Sequence, residues 1–396
     1  MNKINFKNTD VVILAGGKGT RIKKFLKNYP KPMLKFNNKN FLVYLINQIS
    51  KYNFRKIFLL TRYKSEIIER KFKNKIINFI KIECIKEKKP MGTGGALNLI
   101  KSKTNNFILL NGDTIFDINY LKFLNFIKKN SLGKIALLNN LTKKNKKLSS
   151  LDLKNGIVKY KKHGTLMNGG VYFFKKKILN YVPNNNCSLE EDVLPSLINK
   201  KKISGQKFNN FFLDIGTRET LKNAKTKLKK NHYKPAVFLD RDGVINDDLG
   251  YVYKIKNFKF RKGVIKGLRY LQKKNYYIFI VTNQAGIGKK IFKESDYFKL
   301  HNYLKNFLAN KNIFFNDVLH SPYHPKAKLK KYKKNSKMRK PNNLMIKKIF
   351  RNWDIDRKKS FMIGDKKSDF LAAKKSKINF HYAGANFFQQ IKKIVN

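Results

Sequence analysis

Cysteine is nearly absent from this chain of 396 residues: Cys84 and Cys187 are the whole supply. That excludes a disulfide framework and a four-cysteine zinc site, and it fits a reducing compartment. No apolar run approaches the roughly 18 residues that a transmembrane helix needs. The early run Val11-Val12-Ile13-Leu14-Ala15 is too short for a signal-peptide core and reads as a first buried strand. We therefore expect a cytoplasmic chain with no membrane partner. Acids are scarce too, 24 Asp and Glu against 89 Lys and Arg, which leaves a formal net charge of +65. Such an excess ordinarily points to nucleic acid or an anionic membrane surface. Arginine, however, supplies only 11 of those cations and lysine 78, whereas readers of grooves and phosphates favour the arginine fork. Asn, Ile, Phe and Tyr are abundant, the set expected when codons drift toward A and T. A functional basic surface and compositional drift are both open explanations of the charge.

What is present suffices for ordinary cores, with 42% hydrophobic and 13% aromatic residues. At about 150 residues per domain the length predicts two to three domains. Short apolar runs alternate with lysine-laced segments of helical period, the rhythm of α/β domains with mostly parallel sheets. The first series of strands is expected at Val11–Ala15, Lys56–Thr61, Phe107–Asn111 and Gly170–Phe174. A second series falls at Ala236–Leu239, Tyr277–Thr282 and Ser360–Ile363. Between them a charged helix over Thr217–Asn231 is followed by Pro235 and a fresh strand, which places a boundary near residue 233. We expect two Rossmann-like, three-layer α/β domains, 1–232 and 233–396, and no internal repeat. The lysine runs Lys143–Lys147 and Lys328–Lys337 read as solvated loops, since neither has the interleaved aromatics of a single-strand groove.

The first strand runs into Leu14-Ala15-Gly16-Gly17-Lys18-Gly19-Thr20-Arg21. Glycines directly after a strand let backbone N–H groups approach phosphate oxygens, and Lys18 and Arg21 add charge. Lys31-Pro32 supplies a further cation on a rigid turn. Taken alone this is an ordinary glycine turn, neither G-x-G-x-x-G nor a Walker loop. It has company: Met91-Gly92-Thr93-Gly94-Gly95-Ala96, Asn111-Gly112-Asp113-Thr114, Asn168-Gly169-Gly170, Glu190-Glu191-Asp192 and Phe212-Leu213-Asp214-Ile215-Gly216-Thr217. Residues 10–230 resemble the sugar-1-phosphate nucleotidyltransferases, whose signature is L-A-G-G-x-G-T-R…K-P. The resemblance implies base and phosphate binding by Gly16, Gly17, Gly19 and Thr20, with Gly92 and Gly94 beside the substrate. It puts Arg21 and Lys31 on the triphosphate, Mg²⁺ on Asp113 and Asp214, and the sugar on Asn168, Gly169 and Glu190. Opposed anions, a sugar phosphate and the α-phosphorus of a nucleoside triphosphate, are brought into line by cations, and the ionised nucleophile needs no base. The family's usual Glu-Lys pair before the N-G-G strand is replaced by Lys161-Lys162-His163-Gly164, so Lys162 or His163 must take the sugar phosphate.

The second half opens with Phe238-Leu239-Asp240-Arg241-Asp242-Gly243. Carboxylates at i and i+2 after a strand point the same way and repel, for which a metal cation is the usual remedy. A calcium loop is excluded because its twelfth position, a Glu in that motif, is Tyr251. Thr282-Asn283-Gln284 ends another strand, Arg339-Lys340-Pro341 supplies cations, and Gly364-Asp365 with Asp369 supplies acids. In order, these match the four motifs of the haloacid dehalogenase superfamily. The resemblance implies Asp240 as nucleophile and Asp242 as acid/base, both at a Mg²⁺ held with Asp365, with Asp369 in support. Thr282, Asn283, Arg339 and Lys340 would bind the substrate, Thr282 and Lys340 clamping its phosphate. Gly250-Tyr251-Val252 and Thr282-Asn283-Gln284-Ala285-Gly286-Ile287 narrow the resemblance to the D,D-heptose 1,7-bisphosphate 7-phosphatases, near relatives of the histidinol-phosphate phosphatases. Both groups often carry a zinc loop, C-x-H…C-x-C. Here it reads Ser321-Pro322-Tyr323-His324-Pro325 and Ser336-Lys337-Met338, so no zinc is expected. His320 and His324 read as surface or substrate-facing groups.

The fusion itself joins these readings, since the product of one half is a plausible substrate of the other. We expect a bifunctional enzyme acting on small molecules, heptose phosphates and a nucleoside triphosphate, with GTP and the α anomer favoured by resemblance to the heptose-1-phosphate guanylyltransferases. The alternatives are another sugar phosphate or a histidinol-phosphate-like substrate. A nucleic-acid-binding protein would leave Asp113, Asp214, Asp240, Asp242 and Asp365 unexplained, so no nucleic-acid partner is expected. The charge would draw polyanionic substrates in at low salt.

Overall fold

The apolar runs become strands because both of their faces are covered. Val11, Val12 and Ile13 are fully buried, as are Ile57–Leu60 and Phe107–Leu109, the continuous pattern of strands sandwiched between layers. The computed structural model describes residues 6–26, 28–125, 127–128, 130–139 and 150–396. The lysine run at 143–147 lies outside the described residues. Two units result, one reaching Lys227 without Ile49–Tyr52, the other holding those four residues and Leu228–Asn396.

The first unit is built on a ten-stranded sheet. From edge to edge its strands are Leu151–Lys154, Ile157–Tyr160, Ile203–Phe208, Gly133–Leu138, Met167–Phe174, Asn106–Asn111, Thr9–Leu14, Lys56–Thr61, Ile80–Lys86 and Ile76–Ile77. Thr9–Leu14 is parallel to both of its neighbours, and Ile80–Lys86 is parallel to Lys56–Thr61. Met167–Phe174 runs antiparallel beside Asn106–Asn111. The one buried carboxylate in the first strand is matched: Asp10 accepts from Arg55 Nε at 2.7 Å and from Thr104 Oγ1 at 2.7 Å, so no bare charge is left inside. A two-stranded ribbon pairs Thr114–Phe116 with Phe212–Asp214 and sets Asp214 opposite Thr114.

The second unit has five strands, all parallel, in the order Asp317–Ser321, Tyr277–Asn283, Ala236–Leu239, Phe361–Gly364 and Asn379–Tyr382. Val264–Lys273, Leu344–Asn352 and Lys367–Ser376 are among its helices. The core around Phe238, Phe279 and Met362 is closed by Ile346, Ile349 and Trp353. The charged helix expected before the boundary runs over Arg218–His232, and the strand after Pro235 is Ala236–Leu239. In the run Lys328–Lys337 the lysines are exposed while Tyr332 is half-buried. Among the described residues no helix is long and apolar enough to cross a membrane.

Candidate active sites

Parallel strands align their C-terminal ends, so the loops that leave those ends share one edge of the sheet. In the first unit that edge collects Gly16, Arg62, Glu87 and Asp113. Gly16 lies tight against the next two strands: a Cβ there would stand 2.6 Å from Glu87 Oε1 and 3.2 Å from Arg62 Cβ. Gly112 N–H donates to the Leu14 carbonyl at 3.0 Å, which brings Asp113 alongside the loop. Gly19 takes φ +64°, a conformation cheap only for glycine, and turns the chain into the short helix Thr20–Phe25. Gly17, Lys18, Thr20 and Arg21 are exposed on this rim.

Asp113 and Asp214 meet across the ribbon. Thr114 Oγ1 lies 3.2 Å from Asp113 Oδ1 and 3.3 Å from Asp214 Oδ2, and Gly216 N–H donates to Asp214 Oδ1 at 2.7 Å. Lys31, nearly buried, is ion-paired with Asp113. Burial, reinforced by the negative charge of Asp113, raises the pKa of Asp214 above the ordinary carboxylate value. Two acids share less than two cations' worth of compensation, a donor set that fits a divalent oxygen-seeking ion. Lys31, expected on the triphosphate, is here the counter-ion of Asp113.

The expected sugar-side residues form one hydrogen-bonded series. Gly170 at φ +68° makes the strand Met167–Phe174 slip register between Asn168 and Tyr172. Asn168 Nδ2 donates to Tyr172 OH at 2.8 Å, and Tyr172 OH donates to Glu190 Oε1 at 2.9 Å. Thr93 Oγ1 donates to Glu190 Oε2 at 2.8 Å. Gly169 packs on Phe116, whose ring would lie 2.4 Å from an added Cβ. Gly92 and Gly94 let two backbones touch: a Cβ on Gly92 would stand 2.2 Å from the Cys187 carbonyl oxygen, and Gly94 N–H donates to that oxygen at 2.9 Å. This contact carries Thr93 to Glu190. Lys162 and His163 are both exposed, in a turn closed by Gly164 N–H donating to Lys161 O at 2.9 Å.

In the second unit the strand ends deliver Asp240, Thr282 and Asp365 to one edge. Oxygens of Asp240, Asp365 and Asp369 all lie within 4.8 Å of one another. Asp365 Oδ1 is buried and has no hydrogen-bond partner, and Gly243 leaves room beside it, since a Cβ there would meet Asp365 Oδ2 at 2.5 Å. An orphaned buried oxygen among three carboxylates fits a divalent cation. Burial first, then the neighbouring acids, raise the pKa values of Asp365 and Asp369. Lys340 is buried, 2.8 Å from Asp240 and 2.5 Å from Asp369. Burial opposes its charge, yet the two acids outweigh burial and its pKa is raised.

Asp242, expected among the metal ligands, has its carboxylate turned to other partners. Asn246 Nδ2 donates to Oδ1 at 2.9 Å, Gln284 Nε2 to Oδ2 at 2.9 Å, and Arg241 pairs with both oxygens. Asp369, expected only in support, stands inside the cluster instead. It lies in the first turn of the helix Lys367–Ser376, where it also accepts from Lys366 N–H at 3.0 Å. Asn283 and Lys340 exchange bonds, Nδ2 to the Lys340 carbonyl at 3.1 Å and Lys340 N–H to Oδ1 at 3.0 Å, which ties the cation loop to its strand. A cleft of about 390 Å³ opens over Asp240, Asp242 and Thr282, with Lys289, His324 and Arg339 in its lining. Sequence reasoning missed Lys289; no motif marks it, and only the packing of its short helix brings it there.

The loop without cysteines is held by aromatic packing. Tyr332 OH donates to Glu294 Oε2 at 3.1 Å, and the Tyr323 and Tyr332 rings meet edge-on at 5.5 Å. Arg339 Nη1 donates to the Tyr323 carbonyl at 3.3 Å. His320 is neither a surface nor a substrate-facing group: it is hydrogen-bonded to Glu294 at 3.0 Å and packed on the Tyr297 ring at 4.4 Å. His324 does line the cleft.

A family model described as nucleotidyl transferase matches residues 10–231, and one described as polynucleotide kinase 3 phosphatase matches residues 239–393. The D-glycero-alpha-D-manno-heptose 1-phosphate guanylyltransferase of Campylobacter jejuni is 34% identical over 52% of this chain and 95% of its own length. The D-glycero-beta-D-manno-heptose-1,7-bisphosphate 7-phosphatase of Photorhabdus laumondii is 43% identical over 36% of this chain and 77% of its own. A solved structure of HddC from Yersinia pseudotuberculosis, complexed with GMP-PN, is 31% identical and matches 56% of this chain and all of its own, with a TM-score of 0.47. The chain belongs to the nucleotidyl transferase family through its first half and carries a haloacid dehalogenase-like phosphatase as its second.

Proposed function

We propose that the protein makes a nucleotide-activated heptose in two steps. The phosphatase half removes the 7-phosphate from D-glycero-α-D-manno-heptose 1,7-bisphosphate, and the transferase half joins the remaining 1-phosphate to the GMP part of GTP, releasing pyrophosphate. The observation that carries this reading is the presence in one chain of relatives of both α-anomer enzymes, the 7-phosphatase over 40% of its length and the guanylyltransferase over 52%. The cleft supports a substrate with two phosphates: Lys340 and Thr282 stand beside Asp240, and Lys289 and Arg339 offer positive charge for a second anion, with His324 as a neutral hydrogen-bonding neighbour.

In the phosphatase half, Asp240 attacks phosphorus while Lys340 and Thr282 hold the phosphoryl oxygens, and Asp242 protonates the departing sugar oxygen. Water then cleaves the aspartyl-phosphate, with Asp242 taking the proton back. Mg²⁺ held by Asp240, Asp365 and Asp369 would neutralise the phosphoryl charge. In the transferase half, Arg21 balances the triphosphate, Asp113, paired with Lys31, and Asp214 would hold Mg²⁺, and Asn168 and Glu190 orient the sugar.

Guanine is favoured by Glu87. A carboxylate against Gly16 repels phosphates, so that side of the loop suits a base edge with paired N–H donors. Guanine presents two on N1 and N2, which one carboxylate accepts together. Burial raises the Glu87 pKa, and a bound donor pair would favour its ionised form. The test offers heptose 1-phosphate with an equimolar mixture of GTP, ATP, CTP and UTP, products read by mass spectrometry. GDP-heptose is expected to dominate, and Glu87→Gln to erode the preference for GTP by about tenfold or more. A product mixture without guanine preference in the parent protein would overturn the assignment of GTP; absence of any nucleotide sugar would overturn the transferase reading.

A further inference from the structure

Arg241 lies between the two acids of the phosphatase motif, yet it faces away from the cleft. Asp240 and Asp242 line the cleft, whereas Arg241 does not and is 1% exposed. Its guanidinium curls back: Nη2 donates to Asp242 Oδ1 and Oδ2, each at 2.9 Å, and Nε donates to Oδ1 at 3.1 Å. The same Nη2 donates to the Val252 carbonyl at 2.6 Å, and the guanidinium sits 5.6 Å from the centre of the Tyr297 ring. Gln284 closes the other side, its Nε2 donating to Asp242 Oδ2 at 2.9 Å and to Thr282 Oγ1 at 3.1 Å.

A buried ion pair is a weak stabiliser, because desolvating the charges costs about as much as their attraction returns. Stability alone therefore accounts poorly for an arginine spent on the side chain next to it. Two planar contacts fix the plane of a carboxylate, and a lysine, as a point charge, would not. We propose that Arg241 is a positioning residue, which holds the Asp242 carboxyl in the orientation that hands its proton to the leaving sugar oxygen. This rests on the phosphatase reading above. In the step concerned, an Asp240 oxygen bonds to phosphorus as the bond from phosphorus to the sugar oxygen breaks. The electron pair stays on that oxygen, which takes the Asp242 proton. Water later attacks the phosphoryl group, its proton returns to Asp242, and phosphate leaves Asp240.

The test exploits leaving groups. An alkoxide needs that proton, whereas para-nitrophenolate leaves without it, and kcat/KM reports the steps up to loss of the alcohol. Arg241→Met is expected to lower kcat/KM for the heptose bisphosphate by about 10²-fold or more, and for para-nitrophenyl phosphate by less than about tenfold. Equal loss on both substrates would overturn the positioning role and leave a structural one. If Arg241→Met does not fold, as judged by circular dichroism and thermal melting, Arg241→Lys decides on the same ratio. The parent protein is measured alongside: if it releases no phosphate from either substrate, the phosphatase reading falls, and the role of Arg241 falls with it.

Discussion

Asp240→Asn is expected to abolish phosphate release from the heptose bisphosphate, by at least about 10⁴-fold, because the amide supplies no nucleophilic oxygen. The substitution keeps the shape of the side chain but removes a charge that pairs with Lys340 at 2.8 Å. Lys340 retains Asp369 at 2.5 Å, so the buried cation is not stranded. Nucleotidyl transfer from supplied heptose 1-phosphate is expected to continue, since no catalytic group assigned to it belongs to this cluster. Phosphate release assayed by molybdate colour, with GDP-heptose followed in the same samples, separates the outcomes. Retention of more than about a tenth of the phosphatase rate would rule out Asp240 as nucleophile.

Asp113→Asn is the mirror experiment. Asp113 is tied to Lys31 and, through Thr114 Oγ1 at 3.2 Å, to Asp214. Its loss removes half of the proposed Mg²⁺ site and releases Lys31 from its partner. Electrostatic stabilisation of a transferring phosphoryl group is often the largest catalytic effect, so nucleotidyl transfer is expected to fall by about 10³-fold or more. Phosphate release should be unaffected. A loss of less than tenfold, measured by pyrophosphate release, would remove Asp113 from the metal site.

Much of the molecule is legible in its sequence because the chemistry sits next to strand ends. Asp240 follows Leu239, Thr282 lies within Tyr277–Asn283, and Asp365 follows Gly364. An apolar run followed by an acid or hydroxyl is enough to mark the ligand edge of a parallel sheet. All seven expected strands are present, with ends displaced by at most three residues, as at Met167 against the expected Gly170. Groups whose role depends on distant pairing are hidden. Glu87 meets Gly16 only because Lys56–Thr61 and Ile80–Lys86 lie in register beside the first strand. Lys31 reads as a triphosphate cation until Asp113, 82 residues away, is found against it. Asp369 reads as peripheral because its distance from Asp365 in sequence says nothing of the helix start that folds it back. For the cysteine-free loop, the sequence pattern shows what is missing, while the replacement by Tyr323, Tyr332 and Glu294 joins residues far apart in sequence.

The most direct measurement supplies the purified protein with GTP, Mg²⁺ and D-glycero-α-D-manno-heptose 1,7-bisphosphate in one vessel and follows products by mass spectrometry and phosphorus NMR. The account predicts inorganic phosphate first, then pyrophosphate and GDP-heptose in equal amounts, with heptose 1-phosphate as the intermediate. Neither phosphate nor nucleotide sugar from this bisphosphate or its β anomer would contradict the central claim that one polypeptide carries both reactions.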